Sequence, residues 1–382
     1  MREHPIGAEQ VQQFVESVVG EDMHAKRVLS LTNATLGVIH AASLAVTTIG
    51  RALAQARSLD PRHAVKQVDR LLSNTRVRVW DLFSSWVPMV MAQRTEATVA
   101  LDWTDFDKDD QTTLCAHLLT NHGRATPLVW LTVKKSELAG RRNDIEDSVL
   151  HRLKEVLPSG VKVTVLADRG FGDTALYALL RHELGFDFVV RFRGNIQVEA
   201  EGATLEAKDW LAPSGRAKRF VKPKVTSDKY EVPAVVIVRA KGMSEAWFLA
   251  TSLDVPAGDV IKLYGRRFTI EESFRDAKDW RFGMGLSAAR LGEPQRRDRL
   301  LLVSAMAVAL LTLLGAAAEA TGLDKTLNVS TAKKRQHSLF NQGVYFYGAL
   351  PMMKSHRIEP LMKAFGELVL AQPFFRAAYA VL

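Results

Sequence analysis

The chain has almost no cysteine, since Cys115 is the single one among 382 residues. An intramolecular disulfide is therefore impossible, and a zinc site built on cysteine is not expected. The ten histidines contain no His-Glu-x-x-His pair and no other spacing typical of a metal site. A metal bound by this chain would have to be held by oxygen ligands. The scarcity of cysteine also fits a reducing cytoplasm.

The first ten residues, MREHPIGAEQ, lack the apolar core of a signal peptide. One uncharged run, Leu300 to Ala318, is just long enough to span a bilayer. It is rich in alanine, contains Ser304 and Thr312, and has no flanking aromatic belt. We interpret it as a buried core helix rather than a membrane span. We expect a cytoplasmic protein that has no membrane partner.

The composition is that of a globular protein, because 47% of the residues are hydrophobic. The length allows two or three domains with at least one sizeable core. Lysine and arginine number 51 against 42 aspartates and glutamates, which gives a formal net charge of +9. This excess favours a polyanionic partner, most simply nucleic acid.

Residues 1–95 read as helical, because apolar residues recur at helical spacing at Val11, Phe14 and Val18 and again from Val68 to Leu72. Basic residues are scattered between them. Two interpretations remain open: a small basic bundle that binds DNA, or a bundle that only packs on the next domain.

From residue 97 the pattern changes to three short β-rich runs, then a helix, a strand, a helix and a strand. The predicted order βββαβαβ takes these elements in turn: 98–103, 114–120, 127–133, 143–157, 161–167, 174–184 and 186–192. Short strand-like runs and a basic stretch, RAKRFVKPK at 216–224, then predict a β-rich insertion. Helix returns over 254–278, and the remaining C-terminal part is mixed, with a basic KKR at 333–335 and a helical tail.

Three carboxylates are candidates for chemistry. We place Asp102 at the end of the first strand and Asp168 at the end of the 161–167 strand, so neighbouring strands would bring them together. Glu271 can reach them from a helix lying across the sheet. Three converging carboxylates need cations, and oxygen ligands suit Mg²⁺ or Mn²⁺. The alternative for each aspartate is a turn or cap residue, and we interpret the nearby acidic run at 105–110 as a solvated loop.

An unusual stripe accompanies Glu271. On an α-helix, Arg267, Glu271 and Lys278 fall within about 60° of Tyr264. The rival Glu272 lies about 100° off this stripe. Arginine offers a planar fork to a phosphate and lysine a point charge. The stripe therefore predicts one metal ligand beside a group of phosphate-binding side chains.

Three motifs together resemble the DDE transposases of bacterial insertion sequences. They are ALDWTD around Asp102, LADRGFGD around Asp168, and Y-x2-R-x3-E-x6-K from Tyr264 to Lys278. The third is similar to the signature of the insertion-sequence-four group, which is named for Tyr, Arg, Glu and Lys. The resemblance covers roughly residues 95–315.

The resemblance implies an α/β fold with an RNase H-like catalytic core, a β-rich insertion, an N-terminal helical bundle and a helical C-terminal tail. The expected division is a DNA-binding bundle, the first part of the core, the insertion, the second part of the core with the signature helix, and a C-terminal region for dimerisation. The corresponding ranges are 1–95, 96–193, 194–251, 252–320 and 321–382.

The resemblance also implies cut-and-paste DNA transposition with two Mg²⁺ ions, which Mn²⁺ can replace. Asp102, Asp168 and Glu271 would be the catalytic metal ligands, and Tyr264, Arg267 and Lys278 would bind DNA phosphates. The partners would be the terminal inverted repeats, target DNA and a second subunit in a homodimeric synaptic complex.

In this group a hairpin intermediate forms at the transposon end, with a flipped base stacked on a tryptophan. Trp247 stands where that residue is expected, and Trp210 is a rival. The alternative for Trp247 is an aromatic in the core of the insertion. Two further functions remain open: an RNase H-like nuclease that only hydrolyses DNA, and a non-catalytic DNA-binding protein derived from a transposase.

Overall fold

The computed structural model describes residues 6–120, 122–279, 283–328 and 335–370. Its N-terminal part is helical, as predicted. Asp60 begins one of these helices by accepting a hydrogen bond from the His63 amide at 2.9 Å, with Pro61 at the first helical position. The helices are α1 Ala8–Val19, α2 Ala25–Ala41, α3 Val46–Arg57, α4 Pro61–Ser73 and α5 Val79–Met91.

These helices pack closely because two glycines lie where they cross. A Cβ on Gly37 would meet the backbone oxygen of Ile49 in α3, and one on Gly50 would meet the backbone of Val65 in α4. The apolar faces of α1 to α5 belong to the same hydrophobic core as the sheet that follows. The bundle is therefore packed directly on the next part of the chain.

The predicted order βββαβαβ is confirmed. Its elements are β1 Glu96–Phe106, β2 Gln111–Leu118, β3 Thr126–Lys134, α6 Arg142–Val156, β4 Lys162–Ala167, α7 Thr174–Ala178 and β5 Asp187–Arg191. α7 is shorter than predicted, because residues 179–183 continue as a wider π-helical turn. β1 pairs antiparallel with β2 and parallel with β4, and β4 pairs parallel with β5.

The region after β5 contributes strands to two sheets. Its strands are β6 Gln197–Ala200, β7 Ala203–Glu206, β8 Lys218–Val221, β9 Lys224–Val225, β10 Tyr230–Glu231, β11 Ala234–Val238 and β12 Trp247–Thr251. A small sheet has the order β10-β9-β6-β7, while the large sheet has the order β3-β2-β1-β4-β5-β12-β11-β8. The β-rich segment is thus partly an extension of the large sheet.

Around Ala100 the two faces of the large sheet belong to different cores, because side chains alternate along each strand. Val99 and Leu101 of β1 pack in the main core with the N-terminal helices. Ala100 packs in a second cluster on the other face, with Leu166 and Val189 from β4 and β5. Asp102 and Asp168 share the parity of Ala100 and Leu166, so both side chains point toward this second face.

The second face is covered by helix. The predicted helix over 254–278 begins at Ala257 and has three parts: α8 Ala257–Gly265, a 3₁₀ turn Arg266–Phe268 and α9 Thr269–Lys278. Val260 and Ile270 anchor it on the second cluster. It therefore crosses the sheet on the side to which the two aspartates point.

The remaining helices are α10 Pro294–Ala320, α11 Leu339–Ala349 and α12 Ser355–Leu370. α10 is the one described helix that is long and apolar enough to cross a membrane, and 83% of its most apolar window is buried inside the protein. This burial agrees with the prediction of a core helix. Of the predicted C-terminal region, residues 329–334 and 371–382, which include Lys333 and Lys334, lie outside the described residues.

The first turns of α10 hold several elements together. Arg296 Nη2 donates to Asp69 of α4 at 2.6 Å, and Arg299 donates to the carbonyl oxygens of Leu72 and Val77 at 2.7 and 2.9 Å. Two neighbouring side chains reach the sheet. Arg297 Nη2 donates to Asp109 at 2.5 Å, and Asp298 Oδ1 accepts from the Thr132 amide at 3.0 Å. The position of the bundle on the sheet is therefore fixed by hydrogen bonds as well as by apolar packing.

Candidate active site

Asp102 lies in the middle of β1, and the prediction that it ends the strand is wrong. β1 continues to Phe106 because its pairing with β2 runs from Val99 to Phe106. The parallel pairing with β4 stops earlier, at Leu101 opposite Ala167. Asp102 is therefore the first residue of β1 beyond the parallel pairs, at the edge where β4 ends.

Asp168 directly follows β4, as predicted. Its Oδ1 accepts a hydrogen bond from the Gly170 amide at 2.8 Å, so the loop after the strand holds the carboxylate. A Cβ on Gly170 would lie 3.0 Å from the same oxygen, which explains glycine at this position. Since Leu101 pairs with Ala167, Asp102 and Asp168 are adjacent at the same edge of the sheet.

The stripe predicted on a single α-helix is divided by the 3₁₀ turn. Tyr264 lies in the last turn of α8, Arg267 lies in the 3₁₀ turn, and Glu271 and Lys278 belong to α9. A 3₁₀ turn advances about 120° a residue instead of about 100°, so angles calculated for one α-helix do not hold across it. The structure nevertheless brings Tyr264, Arg267 and Glu271 together, while Lys278 lies further along β1.

Arg267 lies between two of the predicted catalytic acids. Its Nη1 donates to Asp102 Oδ2 at 3.2 Å, and its Nη2 donates to Glu271 Oε1 at 3.4 Å. The Arg267 side chain is 8% exposed, that of Asp102 20% and that of Glu271 55%. The guanidinium is thus buried, whereas the Asp102 carboxylate is partly exposed to solvent and the Glu271 carboxylate is more exposed still.

The electrostatics of this group follow from burial and crowding. The pKa of Asp102 is raised from 3.8 to about 6, chiefly by burial; Arg267 acts to lower this pKa, and the charge of Asp168 acts to raise it. Burial acts to lower the pKa of Arg267, but Tyr264, Asp102, Asp168 and Glu271 outweigh it and raise that pKa. These influences indicate that all five groups are close enough to affect one another.

Lys278 reaches the next residue along the same face of β1. Its Nζ donates to Thr104 Oγ1 at 3.0 Å and to the Asp105 carbonyl oxygen at 2.9 Å. It also lies 5.0 Å from the centre of the Phe106 ring. Burial lowers the pKa of Lys278. The lysine therefore stands beside the acidic group rather than inside it.

Trp247 begins β12 at the same edge of the sheet and packs against the signature helix. Its ring lies edge-on to Tyr264, with centroids 5.0 Å apart, and nearly parallel to Phe268 at 5.9 Å. Trp247 is half-buried and Phe268 is exposed. Trp210, in contrast, is buried and donates from Nε1 to the Val198 carbonyl oxygen at 3.2 Å. Of these two tryptophans, Trp247 is the one near the acidic group.

Sequence reasoning missed Glu245, which precedes β12. Its Oε2 accepts from Arg191 Nη2 at 2.7 Å and from Arg169 Nη1 at 3.4 Å. The sequence did show one cation at this place, because Arg169 directly follows Asp168 in the second motif. The pairing itself depends on β5 and β12 being neighbours, which no local pattern revealed.

A second missed contact holds α9 in place. Arg124, in the turn between β2 and β3, forms an ion pair with Asp276, and Ser273 Oγ accepts from the Ala125 amide at 2.8 Å. Asp109, which we predicted to be solvated, has a side chain that is only 10% exposed and forms an ion pair with Arg297. The acidic run at 105–110 is thus partly structural.

The donor set can be tested for metal binding. Within the described residues, no three side chains among histidine, cysteine, aspartate and glutamate converge closely enough to hold a metal ion. Arg267 supplies positive charge between Asp102 and Glu271 instead. Asp102 and Asp168 offer hard oxygen atoms at one point, and their mutual repulsion would be relieved by a cation. The residues present therefore fit a hard divalent ion.

Comparison with known proteins agrees with this geometry. No curated protein matches the chain. The Transposase DDE domain family matches residues 95–310, which is more than half of the chain and contains Asp102, Asp168 and the signature helix. Members of that family generally use divalent metal ions and bind DNA. The fold, the clustered acids and this match lead to one conclusion: the chain belongs to the Transposase DDE domain family.

Proposed function

We propose that the chain catalyses cut-and-paste transposition of an insertion sequence of the insertion-sequence-four group. The observation that carries the proposal is the contact of Arg267 with both Asp102 and Glu271, beside Asp168. Four residues from three separate motifs would otherwise have no reason to meet at one edge of the sheet.

Asp102, Asp168 and Glu271 would hold two Mg²⁺ ions, or Mn²⁺ in their place. When bound, such ions activate an attacking oxygen and stabilise a leaving oxygen in phosphoryl transfer. The chain's own residues have complementary roles. Arg267 would neutralise Asp102 and Glu271 in the free protein, and it would turn a guanidinium edge toward a DNA phosphate when the acids take up metal.

Tyr264 and Lys278 would bind phosphates on either side of the acids. Lys278 is held 3.0 Å from Thr104 on β1, so its charge is oriented before DNA arrives. Tyr264 is buried, and burial raises its pKa, which keeps the phenol protonated as a hydrogen-bond donor. Preorientation of this kind reduces the entropy lost on binding.

The sheet order supports an RNase H-like core within this proposal. β3-β2-β1-β4-β5 combines an antiparallel β1–β2–β3 meander with parallel β4 and β5, and α8 to α9 cover the second face. The N-terminal bundle would bind the terminal inverted repeat, since Lys26, Lys66 and Arg70 are exposed on it. The C-terminal region would help to pair two subunits across the synapsed ends.

Trp247 would stack on a base flipped out during hairpin formation. Its ring lies edge-on to the buried Tyr264 ring and nearly parallel to the exposed Phe268 ring, so this side of the signature helix presents an aromatic surface. Stacking on an aromatic contributes about 1–3 kcal/mol per base. That is enough to offset much of the few kcal/mol that flipping costs.

Cleavage of DNA that carries the element's own terminal repeats tests the function. With Mg²⁺, the wild-type protein is expected to give hairpinned ends and insertion products. Glu271→Gln should abolish both while leaving repeat binding intact, and Glu272→Gln is the matched control. Nicks without strand transfer would show a simple nuclease, and binding without cleavage would show a non-catalytic protein.

The hairpin step is tested separately at Trp247. Trp247→Ala should reduce hairpin formation at least tenfold while first-strand nicking is retained, since about 1.4 kcal/mol of lost stacking corresponds to a factor of ten. Trp210→Phe is the control in the core of the insertion. Equal loss of nicking and hairpin formation in Trp247→Ala would mean that the ring only supports the signature helix.

A further inference from the structure

The edge of the large sheet that carries Asp102 and Asp168 continues well beyond them. β5 and β12 are antiparallel, as are β12 and β11, and β11 and β8. The end of β5, the start of β12, the end of β11 and the start of β8 therefore all lie on the same edge as the two aspartates. This follows from the register, in which Val238 pairs with Trp247 and Ile237 pairs with Lys218.

Exposed cations occupy this edge. We call them the cationic rim: Arg193 after β5, Arg239 and Lys241 after β11, and Arg216 and Lys218 at the start of β8. Within the described residues, none of the five side chains forms an ion pair or a hydrogen bond. Other cations of the same region are neutralised, as Arg219 is by Asp254 at 2.8 Å and Lys224 by Glu199 at 3.3 Å.

The free charge is concentrated on one edge of the sheet. At the opposite edge Glu96 begins β1, Asp187 begins β5, and Asp254 follows β12. Arg219 forms an ion pair with Asp254, and Lys162 lies opposite Glu96 in the strand register, so that edge carries less uncompensated positive charge than the rim. The excess positive charge therefore begins beside Asp102 and Asp168 and extends from β5 toward β8.

We propose that the cationic rim binds the phosphate backbone of the DNA segment next to the reacting phosphate. The sheet order separates β5, which Arg193 follows, from β8 by three inter-strand steps, which at about 4.8 Å each span about 14 Å. Phosphates of one strand are about 3.4 Å apart along a duplex, so the rim matches about four nucleotides. The inference deepens the proposed function, on which it rests, by giving the DNA a path across the β-rich insertion.

The rim suits phosphates rather than bases or a protein partner. Its residues are arginine and lysine on loop ends, and the only large apolar residue exposed on β8, Val221, lies at the far end of that strand. Contacts of this kind position a duplex without reading its sequence. They also make binding depend steeply on salt, which supplies a direct measurement.

The experiment measures binding of the full chain to a fluorescent blunt-ended duplex of mixed sequence, by anisotropy over a salt series with EDTA present. The triple variant Lys218→Ala, Arg239→Ala and Lys241→Ala should lower the slope of log K against log salt by about 3, close to one unit for each lost phosphate contact. Its affinity at low salt should fall at least tenfold.

The matched control is Lys222→Ala combined with Lys162→Ala. Lys222 follows β8 at its other end, and Lys162 begins β4 at the opposite edge; both are exposed and form no ion pair within the described residues. The control should keep the wild-type slope. Circular dichroism must first show that both variants are folded. An unchanged salt slope in the triple variant, or an equal fall of the slope in the control, would then contradict DNA binding by the cationic rim.

Failure of the rim and failure of the proposed function are distinguishable, because binding is measured without metal. A normal salt slope in the triple variant together with Glu271-dependent cleavage rejects the rim alone. A reduced slope together with cleavage that survives Glu271→Gln rejects the catalytic assignment alone.

Discussion

Two buried arginines near β1 have different surroundings. Arg267 contacts Asp102 and Glu271, whose side chains are 20% and 55% exposed. Arg297 contacts Asp109, which is 10% exposed, and donates from Nε to Gln111 Oε1 at 2.7 Å. It also lies 3.8 Å from the centre of the Phe106 ring. The acids that contact Arg267 are accessible to solvent, whereas Arg297 and the Asp109 carboxylate are enclosed by the protein.

The exposure of the acids determines which of these ion pairs a ligand can replace. An enclosed pair holds elements together, and removal of one partner leaves a buried charge without compensation. A pair whose acids reach solvent can be replaced by metal and phosphate without unfolding the protein. Both arginines are buried, so their own burial does not distinguish a replaceable ion pair from a structural one. The solvent exposure of the partner acids distinguishes them.

The largest effect is expected at Arg297. Arg297→Met should cost about 3–5 kcal/mol of unfolding free energy, because Asp109 and Gln111 lose their buried partner. Urea denaturation followed by fluorescence measures it. Arg290→Met is the control, since Arg290 is 63% exposed and 3.8 Å from the same Asp109, and it should change stability by under about 0.5 kcal/mol. Equal costs would show that enclosure does not matter.

Next in size is a pH effect at Asp298. Burial raises its pKa from 3.8 to about 7, with the Thr132 amide acting in the opposite direction. The folded state then holds a proton that the unfolded state releases, so wild-type stability falls as pH rises from about 4 to about 7. Asp298→Asn, which keeps an acceptor for Thr132, should remove roughly 2–4 kcal/mol of that fall. Parallel pH–stability curves for the two proteins would contradict the assignment.

The smallest change in stability is expected at Arg267. Arg267→Gln should cost only about 1 kcal/mol, because Asp102 can take up a proton when its partner is lost. The variant should bind Mg²⁺ roughly tenfold more tightly in the absence of DNA, because the guanidinium no longer competes with the metal for the carboxylates. A tenfold change corresponds to about 1.4 kcal/mol of binding free energy. Calorimetric titration measures this. Weaker Mg²⁺ binding would mean that Arg267 supports the acids rather than competes with metal.

The sequence predicted the order of elements around the site, because alternation and helical spacing are local properties. It also predicted that Asp102, Asp168 and Glu271 converge; the structure places Asp102 next to Asp168 and joins Asp102 to Glu271 through Arg267. It mislocated Asp102 within β1, since the length of that strand depends on pairing with β2. It treated Tyr264 to Lys278 as one helix, since a 3₁₀ turn leaves no periodic signal over three residues.

Contacts between distant segments were not predictable. Glu245 meets Arg169 and Arg191 only because β12 lies next to β5, and Arg297 meets Asp109 only through the docking of α10. The cationic rim had one local sign, the basic stretch at 216–224. The basic residues of this stretch lie at both edges of the sheet, so the stretch alone does not predict the edge at which the unpaired positive charge is concentrated.

Helix α10 has a consequence for experimental design. Its 27 residues form a rod about 40 Å long. One end is hydrogen-bonded to the N-terminal bundle. At the other, Gly315 and Gly343 let α10 and α11 approach so closely that a Cβ on either would strike the backbone of the other helix. A truncation intended to isolate a monomeric catalytic fragment would strip α11 from this helix and leave its apolar side in water. Single substitutions on exposed residues are the safer route to separate assembly from catalysis.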